Sequence, residues 1–160
     1  LRTISQLIDI LCRWRRANAR KKIELAIELY SMPMNGAFFM IDLDRFKQIN
    51  ETAEILKFVF CEDDIIGRMG GNEFCVFYTG RNRDEILEAK AAKICEEARK
   101  ILPVREGKAG TSESIGIAKG YGNEEFSELY RRADRALYVQ KFQYGKDGYT
   151  IYEQLDEENE

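Results

Sequence analysis

Asp42 and Asp44 stand two residues apart at the end of a short apolar run, Ala37-Phe-Phe-Met-Ile41, and further along the chain Gly70-Gly71-Asn72-Glu73 sets another carboxylate beside two glycines. Carboxylates at a strand end, next to a Gly-Gly turn with free backbone amides, suit a divalent cation and a nucleotide triphosphate. Mg²⁺ prefers one or two carboxylates plus phosphate oxygens, and glycines let the backbone approach a phosphate closely. Each part also has a plain structural explanation. An Asp-x-Asp at a strand end caps the helix that follows, and a Gly-Gly pair closes a hairpin.

The elements around these residues follow from apolar spacing. Residues 37–41 read as a buried strand. Phe46, Ile49, Ala53, Leu56 and Phe60 recur every three or four positions, which predicts an amphipathic helix from Arg45 to Phe60. Asp64 to Arg68 and Glu73 to Thr79 are strand candidates joined by Met69-Gly-Gly-Asn72, whose glycines and asparagine tolerate positive φ. A helix is expected over 83–101, a strand over 112–119 around Ile115 and Ile117, and a last helix that Asn123 caps and Gly145 or Gly148 stops. Helices interleaved with strands around one central hairpin predict an α+β fold of ferredoxin-like plan, an antiparallel sheet covered by helices on one face. The intervening helix returns the chain antiparallel, so the hairpin should lie beside the strand that ends at Asp42.

At 160 residues, with 44% hydrophobic and 33% charged residues, the chain suits one folded domain rather than a disordered one. Residues 1–30 carry a balance of +4 and read as a helical lead-in of the same domain; 31–152 form its core, and 153–160 an acidic, frayed tail. The net charge of −3 argues against nucleic acid as a partner. With no histidine, a Ser-His-Asp triad and histidine-ligated zinc are excluded. The four cysteines form no CxxC pair and read as reduced, small apolar residues. No apolar run is long enough to span a bilayer; a cytoplasmic location is expected, with a membrane anchor possible in a longer parent protein.

Four stretches, in order, resemble the GGDEF domains, the diguanylate cyclases that join two GTP molecules into cyclic di-GMP. Arg68-Met-Gly-Gly-Asn-Glu-Phe74 resembles the signature hairpin, and Phe38-Phe-Met-Ile-Asp-Leu-Asp-Arg-Phe-Lys-Gln-Ile-Asn50 the metal-binding strand and following helix. Ser114-Ile-Gly116 resembles a later strand, and Ala133 to Lys141 with Gly145 and Lys146 the last helix and its phosphate-facing end. The resemblance implies a nucleotidyl-cyclase-like palm. It also implies Asp42, Leu43 and Glu73 as metal positions for Mg²⁺ or Mn²⁺, Asn50 as a guanine contact, Gly70 and Gly71 as the surface against which GTP lies, and Lys141 with Lys146 as phosphate contacts. In the family each subunit holds one GTP, and a homodimer aligns the two.

The departures from that pattern set the functional expectation. Asn72 stands where an active enzyme carries Asp or Glu, so it forfeits a negative charge beside the cation and cannot act as a base; losing one such partner typically costs about 3 kcal/mol, or some hundredfold in rate. The stretch between Asn50 and Gly70 is shorter than usual by about a dozen residues, some three helical turns, and lacks the aspartate that holds the guanine edge. Cys61-Glu-Asp-Asp64 falls where a product-inhibition Arg-x-x-Asp would stand, without its arginine. The resemblance thus implies a degenerate domain, catalytically silent or nearly so, acting as a regulatory or oligomerisation module beside sensory or other domains of a larger protein. The alternatives are an active diguanylate cyclase and a GTP-binding module without turnover.

Overall fold

The computed structural model describes residues 36–43, 49–101, 113–122, 124, 126–145 and 147–155. They form strand β1 (Ala37–Leu43), helix α1 (Ile49–Val59), strands β2 (Ile65–Gly70) and β3 (Glu73–Tyr78), helix α2 (Asp84–Ile101), strand β4 (Glu113–Lys119), helix α3 (Phe126–Phe142), strand β5 (Gly148–Ile151) and one 3-10 turn (Tyr152–Gln154). The sheet runs in the order β2-β3-β1-β4-β5. Its first four strands pair antiparallel, and β5 lies parallel to β4. The helical lead-in over 1–30, Asp44, the start of the predicted helix at Arg45, the Asn123 cap and Lys146 lie outside the described residues.

The α+β class and the hairpin stand as read from the sequence; the single helical layer does not. Successive strand residues face opposite sides, and β1 is apolar at both parities. Ala37, Phe39, Ile41 and Leu43 join one core with Leu56 and Phe60 near α1 and Leu87, Ala91 and Ile94 of α2. Phe38 and Met40, with Cys75, Phe77 and Ala118, need a second cover, and Leu129, Ala133 and Leu137 of α3 supply it. Helices therefore pack on both faces. This is why every residue of β1 is buried and why that strand reads as a continuous apolar run.

Gly116 sets how closely α3 approaches. A Cβ there would lie 2.3 Å from the Ala133 carbonyl oxygen and 2.3 Å from the Leu137 nitrogen, both backbone atoms. Beyond α3 the chain turns at Gly145 and Asp147, both with positive φ, and enters β5, a strand the sequence reading did not include. Gln140 pins this turn: its amide donates to the Gly145 carbonyl at 2.8 Å and its oxygen accepts from Thr150 Oγ1 at 2.8 Å. Glu153, read as part of a frayed tail, is instead ordered. Its Oε1 accepts from the Lys119 backbone N–H at 3.0 Å and from Arg132 Nη1 at 2.6 Å. Among the described residues no helix is long and apolar enough to cross a membrane.

Cys75 and Cys95 are buried and free, as small apolar residues; desolvation pushes each thiol up to about 12. Cys61 departs from that reading and is exposed.

Candidate functional site at the sheet end

Pairing of three strands brings the candidate residues together. Asp42 lies opposite Glu73 on β3 and opposite Ser114 on β4. Directly paired residues share a face, so Asp42 and Glu73 present their carboxylates to the side that α3 covers. There Lys141, near the end of α3, forms an ion pair with Asp42 Oδ2. Asp42 is only 7% exposed, and its other oxygen, Oδ1, has no hydrogen-bond partner among the described residues. The pair spans 99 positions of sequence, and only the packing of α3 on the sheet makes it.

The hairpin folds as its glycines dictate. Gly70 has φ +150° and Gly71 φ +50°, and a Cβ at either would meet nothing within 4 Å. Glycine is used here for backbone conformation, and the space above the turn is open. The ladder shifts register between Arg68 and Gly70, and Arg68 clamps the turn by donating from Nε and Nη2 to the Gly71 carbonyl at 2.9 and 2.7 Å. The sequence reading gave Arg68 no role of its own; a guanidinium two residues before the Gly-Gly pair was the available signal.

Asn72 then meets the residue after Asp42. Its carbonyl accepts from the Leu43 N–H at 3.1 Å, and its side-chain amide donates to the Leu43 carbonyl. An ionised aspartate here would have no proton to give and would face that oxygen with like charge. Asn72 therefore ties the hairpin to β1 through an oxygen that the resemblance implies as a metal ligand.

Of the remaining candidates, Asn50 is exposed in the first turn of α1. Asp64 is committed to the fold: Oδ2 accepts from the Cys61 N–H at 2.9 Å, and Oδ1 accepts from Thr79 N–H and Oγ1 at 2.9 and 3.1 Å. One residue beyond the Asp42 register, Glu113 of β4 lies opposite Leu43 and is 2% exposed. Thr52 Oγ1 of α1 donates to its Oε1 at 3.3 Å, while Oε2 has no partner among the described residues. Burial pushes this carboxyl up to about 7, and nearby Asp147 adds to the rise. Glu113 was not singled out in the sequence, although it shares the parity of Ile115 and Ile117 and so had to point into the apolar layer.

A divalent ion asks for oxygens whose lone pairs are free. Among the described residues no group of three or more acidic or thiol side chains could hold a metal. At the hairpin, the Lys141 ammonium and the Asn72 amide already occupy one Asp42 oxygen and the Leu43 carbonyl. As arranged, these residues do not fit a divalent ion.

Known proteins share this fold. The chain is 30% identical over 138 residues to the signaling protein YkoW of Bacillus subtilis, covering 77% of this chain and 17% of that protein. It is 33% identical over 116 residues to the diguanylate cyclase DosC of Escherichia coli, covering 64% and 25%. The chain thus spans a quarter or less of the length of these relatives. Among solved structures, the GGDEF domain of DgcB from Caulobacter crescentus, in complex with c-di-GMP, superposes with a TM-score of 0.64 at 21% identity, covering 84% of each chain. An EAL/GGDEF domain protein from M. capsulatus superposes with a TM-score of 0.56 at 27% identity, covering 73% of this chain and 84% of that one. The family model described as diguanylate cyclase, GGDEF domain, matches residues 8–147, and the chain belongs to that family.

Proposed function

We propose that this chain is a GGDEF domain with little or no cyclase activity, serving as a regulatory or oligomerisation module within a longer protein of cyclic di-GMP signalling. The observation that carries the reading is the Asn72 amide donated to the Leu43 carbonyl. A neutral donor sits where the reaction needs an anionic acceptor, so the hairpin lacks the charge that would stabilise a cation and the phosphates it serves. Three further features support it: the shortened stretch after Asn50, the commitment of Asp64 to the loop before β2, and the pairing of Lys141 with Asp42 rather than with solvent. The small share of its relatives' length that the chain covers supports a place beside other domains. GTP and a second copy of the chain are the partners this family position proposes; the Mg²⁺ or Mn²⁺ that the resemblance implies is not among them, because Lys141 and the Asn72 amide hold the Asp42 and Leu43 oxygens. Purified protein incubated with GTP and Mg²⁺ or Mn²⁺ is expected to release no cyclic di-GMP by chromatography. Clear turnover would establish the active-cyclase alternative.

A further inference from the structure

The ion pair between α3 and β1 has a chemical consequence at the hairpin. Asp42 is nine-tenths buried, and its only partner among the described residues is the ammonium of Lys141, on a side chain that is itself about a quarter exposed. Its second oxygen is left without a donor. Glu73 lies opposite it in the strand pair, and the ion pair of Lys141 is made with Asp42. On the neighbouring residue, the Leu43 carbonyl is capped by the Asn72 amide. Two of the oxygens that a cation would need are thus held by protons on nitrogen, one of them carrying the positive charge that the cluster lacks.

We propose that Lys141 is an internal counter-ion that takes the place of a divalent metal on Asp42, so that this hairpin excludes Mg²⁺ and Mn²⁺ while the lysine is seated. This rests on the reading of the chain as a GGDEF domain whose cation site has lapsed, and it adds the agent that fills the site. A buried carboxylate needs a positive or hydrogen-bonding partner. A metal entering on Asp42 Oδ2 must first displace an ammonium that is already in contact, and the described residues offer it no group of three anionic side chains. The lysine is tethered through a packed helix, so its local concentration is set by the fold rather than by the solution.

The test uses the whole chain and Mn²⁺ alone, with no nucleotide. For the wild type, the free Mn²⁺ signal in electron paramagnetic resonance should be undiminished, and its melting temperature should not move with Mn²⁺. Lys141→Met leaves Asp42 without a partner; its melting temperature should fall without metal and rise by at least about 5 °C once Mn²⁺ is well above its dissociation constant. Lys141→Arg keeps the cation and should behave as the wild type. Asp42→Asn combined with Lys141→Met should abolish the Mn²⁺ response. Should Lys141→Met refold only with Mn²⁺ present, while Lys141→Arg folds without it, that dependence is the same result. Depletion of free Mn²⁺ by the wild type, or a folded Lys141→Met that ignores Mn²⁺, would overturn the counter-ion. A wild type that binds Mn²⁺ without making cyclic di-GMP would refute the counter-ion alone; turnover of GTP would refute the functional reading.

Discussion

Adding one methyl group at Gly116 is expected to lower the stability of the domain by about 3 kcal/mol, seen as a drop in the urea midpoint with an unchanged slope. Most glycine-to-alanine changes act through backbone freedom, but this one acts through space. The added carbon would sit 2.3 Å from two backbone atoms of α3, at Ala133 and Leu137, and neither can rotate aside as a side chain end can. The helix must lift off β4, which opens the core layer of Leu129, Ala133 and Leu137 against Phe38 and Met40. It also pulls Lys141 away from Asp42, since the lysine rides on the same helix. Gly71→Ala is the control. A Cβ there meets nothing, and only the φ of +50° opposes it, so its cost should stay near about 1 to 2 kcal/mol. Equal losses at the two positions would show that α3 is less tightly seated on the sheet than the geometry requires.

The second large effect is electrostatic and depends on pH. Glu113 is buried between β4 and α1, with one hydrogen bond from Thr52 and, among the described residues, no cation paired with it. Its carboxyl is raised from 4.5 to about 7, chiefly by desolvation and further by Asp147, while the Thr52 bond opposes the rise. An acid whose folded value lies above its unfolded value holds its proton more tightly in the folded state. Stability therefore falls as pH rises from about 4.5 through about 7, by about 3 kcal/mol in all. Glu113→Gln removes that loss. The variant keeps an acceptor for Thr52 and adds a buried amide that costs about 1 kcal/mol at every pH, so the pH slope is the informative quantity. Relative to the wild type, the variant should gain about 3 kcal/mol between pH 4.5 and pH 8 in denaturant titrations. A difference that stays constant across that range would mean that the Glu113 carboxyl is solvated in the folded protein.

Much of the fold was legible because local signals were strong. The run Ala37–Ile41 was too apolar to be anything but buried, and Gly70-Gly71 between two β-prone stretches could hardly be anything but a hairpin. The two faces of the sheet were harder to see. Phe38 and Met40 alternate with Phe39 and Ile41, and a continuous apolar run conceals that each parity needs its own helical cover. Strand β5 has four residues, starts at a glycine and is defined only by its parallel pairing with β4, so no periodicity announced it. At the site, Asp42 and Glu73 came from the order of elements, since an antiparallel return forces that pairing. The Lys141 contact with Asp42 and the Asn72 bond to Leu43 arise from tertiary packing and from amide geometry, which spacing does not encode. Sequence could say that Asn72 lacks a charge; the fold adds that its amide is employed.

Loss of cyclase activity is assigned to that employed amide and to the lysine behind it, and the sharpest test changes the amide alone. Asn72→Asp restores the missing carboxylate but leaves Lys141 seated on Asp42 and the stretch after Asn50 short. With saturating GTP and Mn²⁺, wild type and Asn72→Asp assayed side by side by chromatography should both yield no cyclic di-GMP. Robust product formation from the single variant would contradict the account, because one charge would then have been all that the hairpin lacked.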